Sequence, residues 1–258
     1  MFKFDYYCSY LHHRDDFDAG VPVLMYHKLG PAPRGAPGGV MYVDAPLFRR
    51  HLRELREAGF RTATLGDLPE TPGNPGRRFA LSFDDGYANA SREALAPLAE
   101  AGYTAIQFLV SGLLGGRNEW DLPLGVPTER LMDAGQVREW LAAGHEIGSH
   151  TVSHPHLCRI SPARAREEIE ASKKALEDTF GLPVPHFCYP YGEYDESVRD
   201  LVAEAGYATA STTRPGVNAP DIPRHELRRL MACAPIRTPR QALLRLLDRA
   251  RRALTPPL

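Results

Sequence analysis

Short apolar runs alternate along this chain with longer segments in which apolar positions recur every three or four residues. The short runs read as buried strands and the long segments as amphipathic helices. Strands are expected over residues 21–27, 60–65, 78–84, 103–110, 145–149, 184–189, 207–211 and 227–233. The first helix opens at Ala45-Pro46, presents Leu47, His51, Leu52, Leu55 and Ala58 on one stripe, and stops at Gly59. Further helices span 88–101, 133–143, 162 to about 180, and 195–205, closed by Gly102, Gly144, Gly181 and Gly206. Ser161-Pro162 reads as an N-cap followed by proline at the first helical position. A last segment, 238–254, carries Leu243, Leu246, Leu247, Ala250 and Leu254 on an apolar stripe, with Arg240, Arg245, Arg249, Arg251 and Arg252 largely off it.

Strand and helix alternate throughout, which implies a parallel sheet with helices outside. Seven or eight such units favour a closed barrel over an open sheet. In such barrels the active site lies at the C-terminal ends of the strands. His27, Asp84, Asp85, His150 and Tyr191 all fall there on this reading. Loops are expected at 30–39, 69–76 and 112–128. The longest carries Trp120 and Asp121, and Trp120 is equally suited to stacking on a sugar ring and to plugging its own loop.

The chemistry concentrates in two stretches. Phe79-Ala80-Leu81-Ser82-Phe83 ends abruptly in Asp84-Asp85-Gly86. Adjacent strand residues face opposite ways, so the two carboxylates have different jobs. Charges at the end of a core strand are costly to bury unless paired or metal-bound. Alone, Asp-Gly is more often a turn signal. The second stretch, Ser149-His150-Thr151-Val152-Ser153-His154-Pro155-His156, holds three histidines within seven positions. Two imidazoles and one carboxylate leave coordination sites open, as catalytic zinc requires. His156, beyond Pro155, is read as structural or supporting.

Ser82-Phe83-Asp84-Asp85-Gly86 together with Ser149-His150-Thr151-Val152-Ser153-His154 resembles the polysaccharide deacetylase family, metal-dependent carbohydrate esterases of the NodB-homology fold. Cys188-Tyr189-Pro190-Tyr191-Gly192 is similar to the family's groove-wall motif. The resemblance covers roughly residues 21 to 235 and implies a distorted (β/α)7-type barrel. It further implies that Asp85, His150 and His154 hold one divalent ion, zinc first, with nickel, cobalt or iron as alternatives. Asp84 is then the base for a metal-activated water, and the backbone N–H of Tyr191 meets the oxyanion. The implied reaction removes an N-acetyl or N-formyl group from an amino sugar, a glycan or a lipid-linked glycan.

Two positions depart from the family pattern. Cys188 stands where many members have an arginine that orients the catalytic aspartate, and Arg224 is taken as its substitute. The family's late Leu-x-His motif is missing after His225. The chain instead has Met25-Tyr26-His27 ahead of the Asp-Asp motif, which resembles the poly-N-acetylglucosamine deacetylase-like subgroup, so His27 is assigned as the general acid with His225 as competitor. The missing arginine keeps a catalytically weak or inactive sugar-binding barrel as the alternative. A two-carboxylate glycosidase is disfavoured, because adjacent aspartates cannot stand ~5 Å or more apart across a glycosidic bond.

The bulk properties narrow this reading further. A chain of 258 residues fits one barrel, with 1–20 as an N-terminal extension and 21–258 as a single domain that includes the C-terminal helix. A formal net charge of -1 gives no global field for nucleic acid. Cys8, Cys158, Cys188 and Cys233 are far apart in sequence without Cys-x-x-Cys, so free thiols are the simpler expectation. The first 20 residues are charged rather than signal-like, His12 and His13 are expected on a solvated tail, and the sequence reads as cytoplasmic. The C-terminal basic helix suits packing on the barrel, with peripheral membrane contact as the second reading.

Overall fold

A computed structural model describes residues 6–33, 39–67 and 72–234. Strands β1 (Val21–Tyr26), β2 (Arg78–Phe83), β3 (Ile106–Leu109), β4 (Glu146–Ser149), β5 (His186–Cys188), β6 (Thr209–Pro215) and β7 (Leu227–Ala232) pair in chain order, each pair parallel. β7 also pairs with β1, with Leu230 opposite Leu24 and Met231 opposite Met25, and this closes the ring. The architecture is the (β/α)7 barrel expected from the sequence.

Helices α1 (Ala45–Glu57), α2 (Ala88–Ala101), α3 (Ala134–Ala142), α4 (Pro162–Phe180) and α5 (Glu196–Glu204) lie close to the expected ranges. Their starts follow local chemistry. Asp44 accepts from the Leu47 N–H at 2.8 Å, Ser161 caps α4, and Asp133 and Gln136 form a reciprocal capping box on α3.

Alternation along each strand sorts the apolar side chains into two layers. Val23, Ala80, Ile106, Phe108, Cys188 and Leu227 form a small cluster inside the ring, closed below by Leu65. Leu24, Tyr26, Leu81, Phe83, Leu109 and Ile147 belong to the larger core that also takes Phe48, Leu98, Trp140 and Leu176 from the helices.

Four expectations change. The strand over 60–65 shrinks to Arg61–Thr62, because Leu65 turns in to plug the ring. The 112–128 loop contains two short 3-10 turns, Ser111–Leu113 and Glu119–Leu124. Residues 6–19, expected as an extension, pack into the barrel: Tyr6–Tyr7 pairs in parallel with Met231 and Ala232, and Phe17 is fully buried. His12 is exposed as expected, but His13 is not on a solvated tail, since its ring is buried between the Tyr6 carbonyl at 3.0 Å and Asp16 at 3.1 Å. The helix expected over 238–254, with its membrane reading, lies outside the described residues. Among the described residues no helix is long and apolar enough to cross a membrane.

Candidate active site

β2 delivers its two carboxylates just beyond Phe83. Asp84 continues the ladder, its N–H donating to the Tyr26 carbonyl at 2.9 Å. Asp85 leaves it, with a φ of 71°, and this lets both side chains reach the mouth of the ring. Gly86 follows with a φ of 74°, and a Cβ there would meet Leu109 Cδ2 at 2.9 Å.

Asp85 Oδ1 lies 3.2 Å from His150 Nε2 and 3.3 Å from His154 Nε2. His150 Nδ1 is 2.7 Å from the Cys188 carbonyl. A carbonyl only accepts, so Nδ1 carries the proton and Nε2 faces Asp85, as a metal-ligating imidazole would. Burial pushes both imidazoles towards the neutral form. At His150 the Cys188 sulfur and Asp85 outweigh burial and hold the pKa well above the usual value, whereas at His154 burial wins. Burial also pushes the Asp85 carboxyl up, but the two imidazoles overcome it and hold it well below the usual range. These three donor atoms lie within 4.8 Å of one another.

Asp84, His150 and Cys188 form a second group of the same compactness. It suits a cation poorly, because Arg229 is already there. The Arg229 guanidinium donates to both Asp84 oxygens at 2.7 Å each and reaches Cys188 Sγ at 3.1 Å. It also donates to the Thr212 carbonyl at 2.7 Å and to Ser82 Oγ at 3.2 Å. Burial pushes the Asp84 carboxyl up, and Arg229, then His27 and His150, bring it below its ordinary value. His27 Nε2 is 3.9 Å from Asp84 Oδ2.

The arginine that meets Asp84 is therefore Arg229, not Arg224 as expected. Arg224 precedes β7, at the N-terminal end of the barrel, and its exposed guanidinium is 3.5 Å from the Gly66 carbonyl. Arg229 sits further along the same strand on its inner face. The sequence held a signal for it: an arginine inside a strand needs a counter-charge. His225 lies at the far end too, its Nε2 bonded to the Tyr207 carbonyl at 2.8 Å. His27, by contrast, lines the same cavity as Asp84, Asp85, His150, His154 and Arg229, a volume of about 380 Å³.

The remaining walls are mostly aromatic and apolar, with Asp121 and Thr213 as polar members. Trp120 stacks on His154 with centroids 4.4 Å apart, so it backs that imidazole, and it also lines the cavity. Tyr191 packs edge-on against His154 at 4.6 Å and face-on against His156 at 3.8 Å, and His156 is held by Glu193 at 2.8 Å. This orients Tyr191, whose φ is 59°. Tyr6, Met25, Met41 and Met231 line the opposite side.

Glu168 was not expected here. From the buried face of α4 it accepts from the N–H groups of Val152 and Ser153, at 2.9 Å each, and from Ser153 Oγ at 2.7 Å. The turn that carries both histidines is thus clamped by one carboxylate. A glutamate on the stripe of Ala165, Ile169, Ser172 and Leu176 was the available signal.

The polysaccharide deacetylase profile matches residues 72–210. YxkH of Bacillus subtilis (strain 168), named for polysaccharide deacetylation, is 26% identical over 216 residues, covering 82% of this chain and 71% of that protein. Among solved structures, the Streptococcus pyogenes deacetylase PplD, in complex with acetate, superposes with a TM-score of 0.69 at 22% identity, over 88% of this chain and 97% of that one. IcaB from Ammonifex degensii gives 0.68 at 23% identity, over 90% and 97%. At these identities the structural likeness concerns the fold. With the profile spanning more than half of the sequence and both signature motifs meeting in one cavity, the chain belongs to the polysaccharide deacetylase family.

Proposed function

We propose that this protein hydrolyses the N-acetyl, or N-formyl, amide of an amino sugar within a glycan or lipid-linked glycan. The observation that carries the reading is one cavity at the mouth of the ring in which Asp85, His150 and His154 converge beside the Asp84–Arg229 pair and His27. Two imidazole nitrogens and a carboxylate oxygen fit one divalent ion, zinc by preference, with positions left open, and such an ion would take the place of the proton that Asp85 favours on His150. When bound, the ion supplies a more acidic water and a polarised carbonyl.

The chain's own residues do the rest. Asp84, kept ionised and aimed by Arg229, takes the proton of the attacking water. The backbone N–H of Tyr191 donates to the oxygen that gains charge. The C–N bond then breaks, His27 hands a proton to the departing nitrogen, and a carboxylic acid and a free amine leave. The guanidinium on Asp84 supports this reading over a non-catalytic sugar-binding barrel, whose ground was the missing motif arginine. The deacetylases among the relatives support an N-acylated carbohydrate as substrate. The test is acetate and formate release by metal-replete protein across a panel of N-acyl amino sugars and oligosaccharides. Activity on at least one N-acyl sugar is expected. Binding of the panel without release of either acid would favour the non-catalytic barrel.

A further inference from the structure

We propose that Cys8 and Cys233 form a reversible disulfide that clasps the N-terminal strand to the last strand of the barrel. The two residues are 225 apart in sequence, yet their sulfurs lie 3.7 Å from each other. The backbone explains the meeting. Tyr6 pairs with Met231 and Tyr7 with Ala232, and the ladder continues through the Cys233 N–H, which donates to the Tyr7 carbonyl at 3.0 Å. Cys8 and Cys233 are therefore the next rung. Neighbouring strands run ~4.8 Å apart, inside the ~4.4–6.8 Å Cα window that a disulfide needs. Side-chain rotation is enough to bring the sulfurs to bonding distance, ~2.05 Å. The Cys8 backbone is held in place from α1, its carbonyl accepting from His51 Nε2 at 3.1 Å and from Arg50 at 3.2 Å.

The exposures assign an order to the chemistry. Cys8 is half-buried and Cys233 fully buried, so an oxidant reaches Cys8 first. With a small organic disulfide RSSR as oxidant, the Cys8 thiolate attacks one sulfur, forms Cys8–S–S–R and releases RSH. The Cys233 thiolate then attacks the Cys8 sulfur, the 8–233 bond forms and a second RSH leaves. Two protein S–H bonds are lost, one S–S bond is gained, and RSSR accepts two electrons and two protons. Tyr6 and Met231, each two residues before a bridged cysteine, line the cavity, so the clasp ties its apolar wall together. Neither cysteine lines the cavity, so the reaction leaves the proposed catalytic groups untouched.

The experiment treats reduced protein with oxidised glutathione and counts thiols after denaturation. Exposed Cys158 is expected to take up glutathione on its own, so the readout is taken at the pair: Cys8 and Cys233 should both lose their thiols without gaining glutathione, their joined peptides should be about 2 Da lighter than the sum of the two, and mapping should join Cys8 to Cys233. The melting temperature should rise by roughly 5–10 °C, because the bond closes nearly the whole chain, and dithiothreitol should reverse it. The Cys233→Ser variant should stop at the mixed disulfide and gain one glutathionyl group at Cys8. The Cys8→Ser variant, altered at the less buried position, should show neither the cross-link nor the rise in melting temperature. Retention of the Cys8 and Cys233 thiols by the treated wild type, or a cross-link that joins another pair, would overturn the proposal.

Discussion

The two ends of the barrel interior are equally buried and chemically opposite. The floor is Val23, Leu65, Ala80, Ile106, Phe108 and Leu227, held by packing, with Cys188 at its upper edge where Arg229 reaches the sulfur. The mouth, towards and just beyond the C-terminal ends of the strands, holds Asp84, Asp85, His150, His154 and Arg229, all at most 5% exposed. Burial therefore does not separate core from site here; the way the polar groups are satisfied does. The mouth also carries the backbone strain. Among the described residues five non-glycine residues have positive φ: Asp85, Thr151, His154 and Tyr191 surround the mouth, and Arg77 lies elsewhere. Such conformations cost about 1–3 kcal/mol each and persist where surrounding contacts enforce them. In the His150–His154 turn the enforcing contacts come from Glu168 and from Thr151 Oγ1, which accepts from the His154 N–H at 3.0 Å.

The sharpest way to break the mouth and spare the floor is the double change His150→Ala/His154→Ala. It should abolish binding of the single divalent ion, read by elemental analysis, and reduce turnover to background. Full metal content in this variant would mean that other residues are the ligands. Asp84→Asn comes next: metal retained, and turnover lowered by about 10³-fold or more, since a base in contact with the reacting water is lost. Loss of metal instead would exchange the roles of Asp84 and Asp85. His27→Ala should lower kcat by ~10²–10⁴ with fold and metal intact, more for an amide than for an activated aryl ester. His225→Ala, at the far end, should change kcat little; the reverse ranking would pass the acid role to His225.

Stability sharpens the same contrast. Arg229→Met leaves Asp84 buried without its partner and should cost about 3–5 kcal/mol in denaturant unfolding, partly recovered by Asp84→Asn in the same chain. Phe108→Ala on the floor should cost a similar ~3–5 kcal/mol through a cavity, with kcat unchanged well below the melting temperature. Failure of Asp84→Asn to rescue Arg229→Met would show that the arginine acts by packing alone.

The smallest effect lies outside both regions. Burial lowers His51 and His186 to about 4, against the ordinary 6.5. Between those values the unfolded chain binds more protons, so stability rises with pH through this window and is lost as pH falls through it. At pH 5 each histidine should cost on the order of 1–2 kcal/mol relative to pH 7. Comparing melting at pH 7 and pH 5 for wild type and His51→Gln/His186→Asn tests this, since an equal acid-induced loss in both would remove these histidines from the account.

The sequence revealed whatever local periodicity governs. The five helices between the barrel strands and six of the barrel strands match expectation to within a few residues, because stripes and caps are written within single segments, whereas the short helix Arg14–Ala19 was not expected. The Asp85, His150 and His154 grouping was legible for the same reason, each residue standing at a motif. Arg229 was not, because its partnership with Asp84 spans 145 residues and arises only when β7 closes onto β1. Arg224, the expected substitute, is only five residues away in sequence, yet the step from just before a strand to its interior separates the two ends of a barrel. Trp120 and His156 were visible as residues, but their stacking on His154 and Tyr191 depends on loops that no periodicity describes.

The closure of β7 onto β1 makes the strands a ring, and a ring has no first member. The strand that ends at His27 and the strand that bears Arg229 are neighbours in space although they lie at opposite ends of the chain. Cutting such a circle at a different connection and rejoining it elsewhere would change the order of every motif while leaving each side chain at its place around the mouth. Chain order is then a record of where the circle was opened. A histidine supplied before the aspartate pair and one supplied long after it can occupy the same seat.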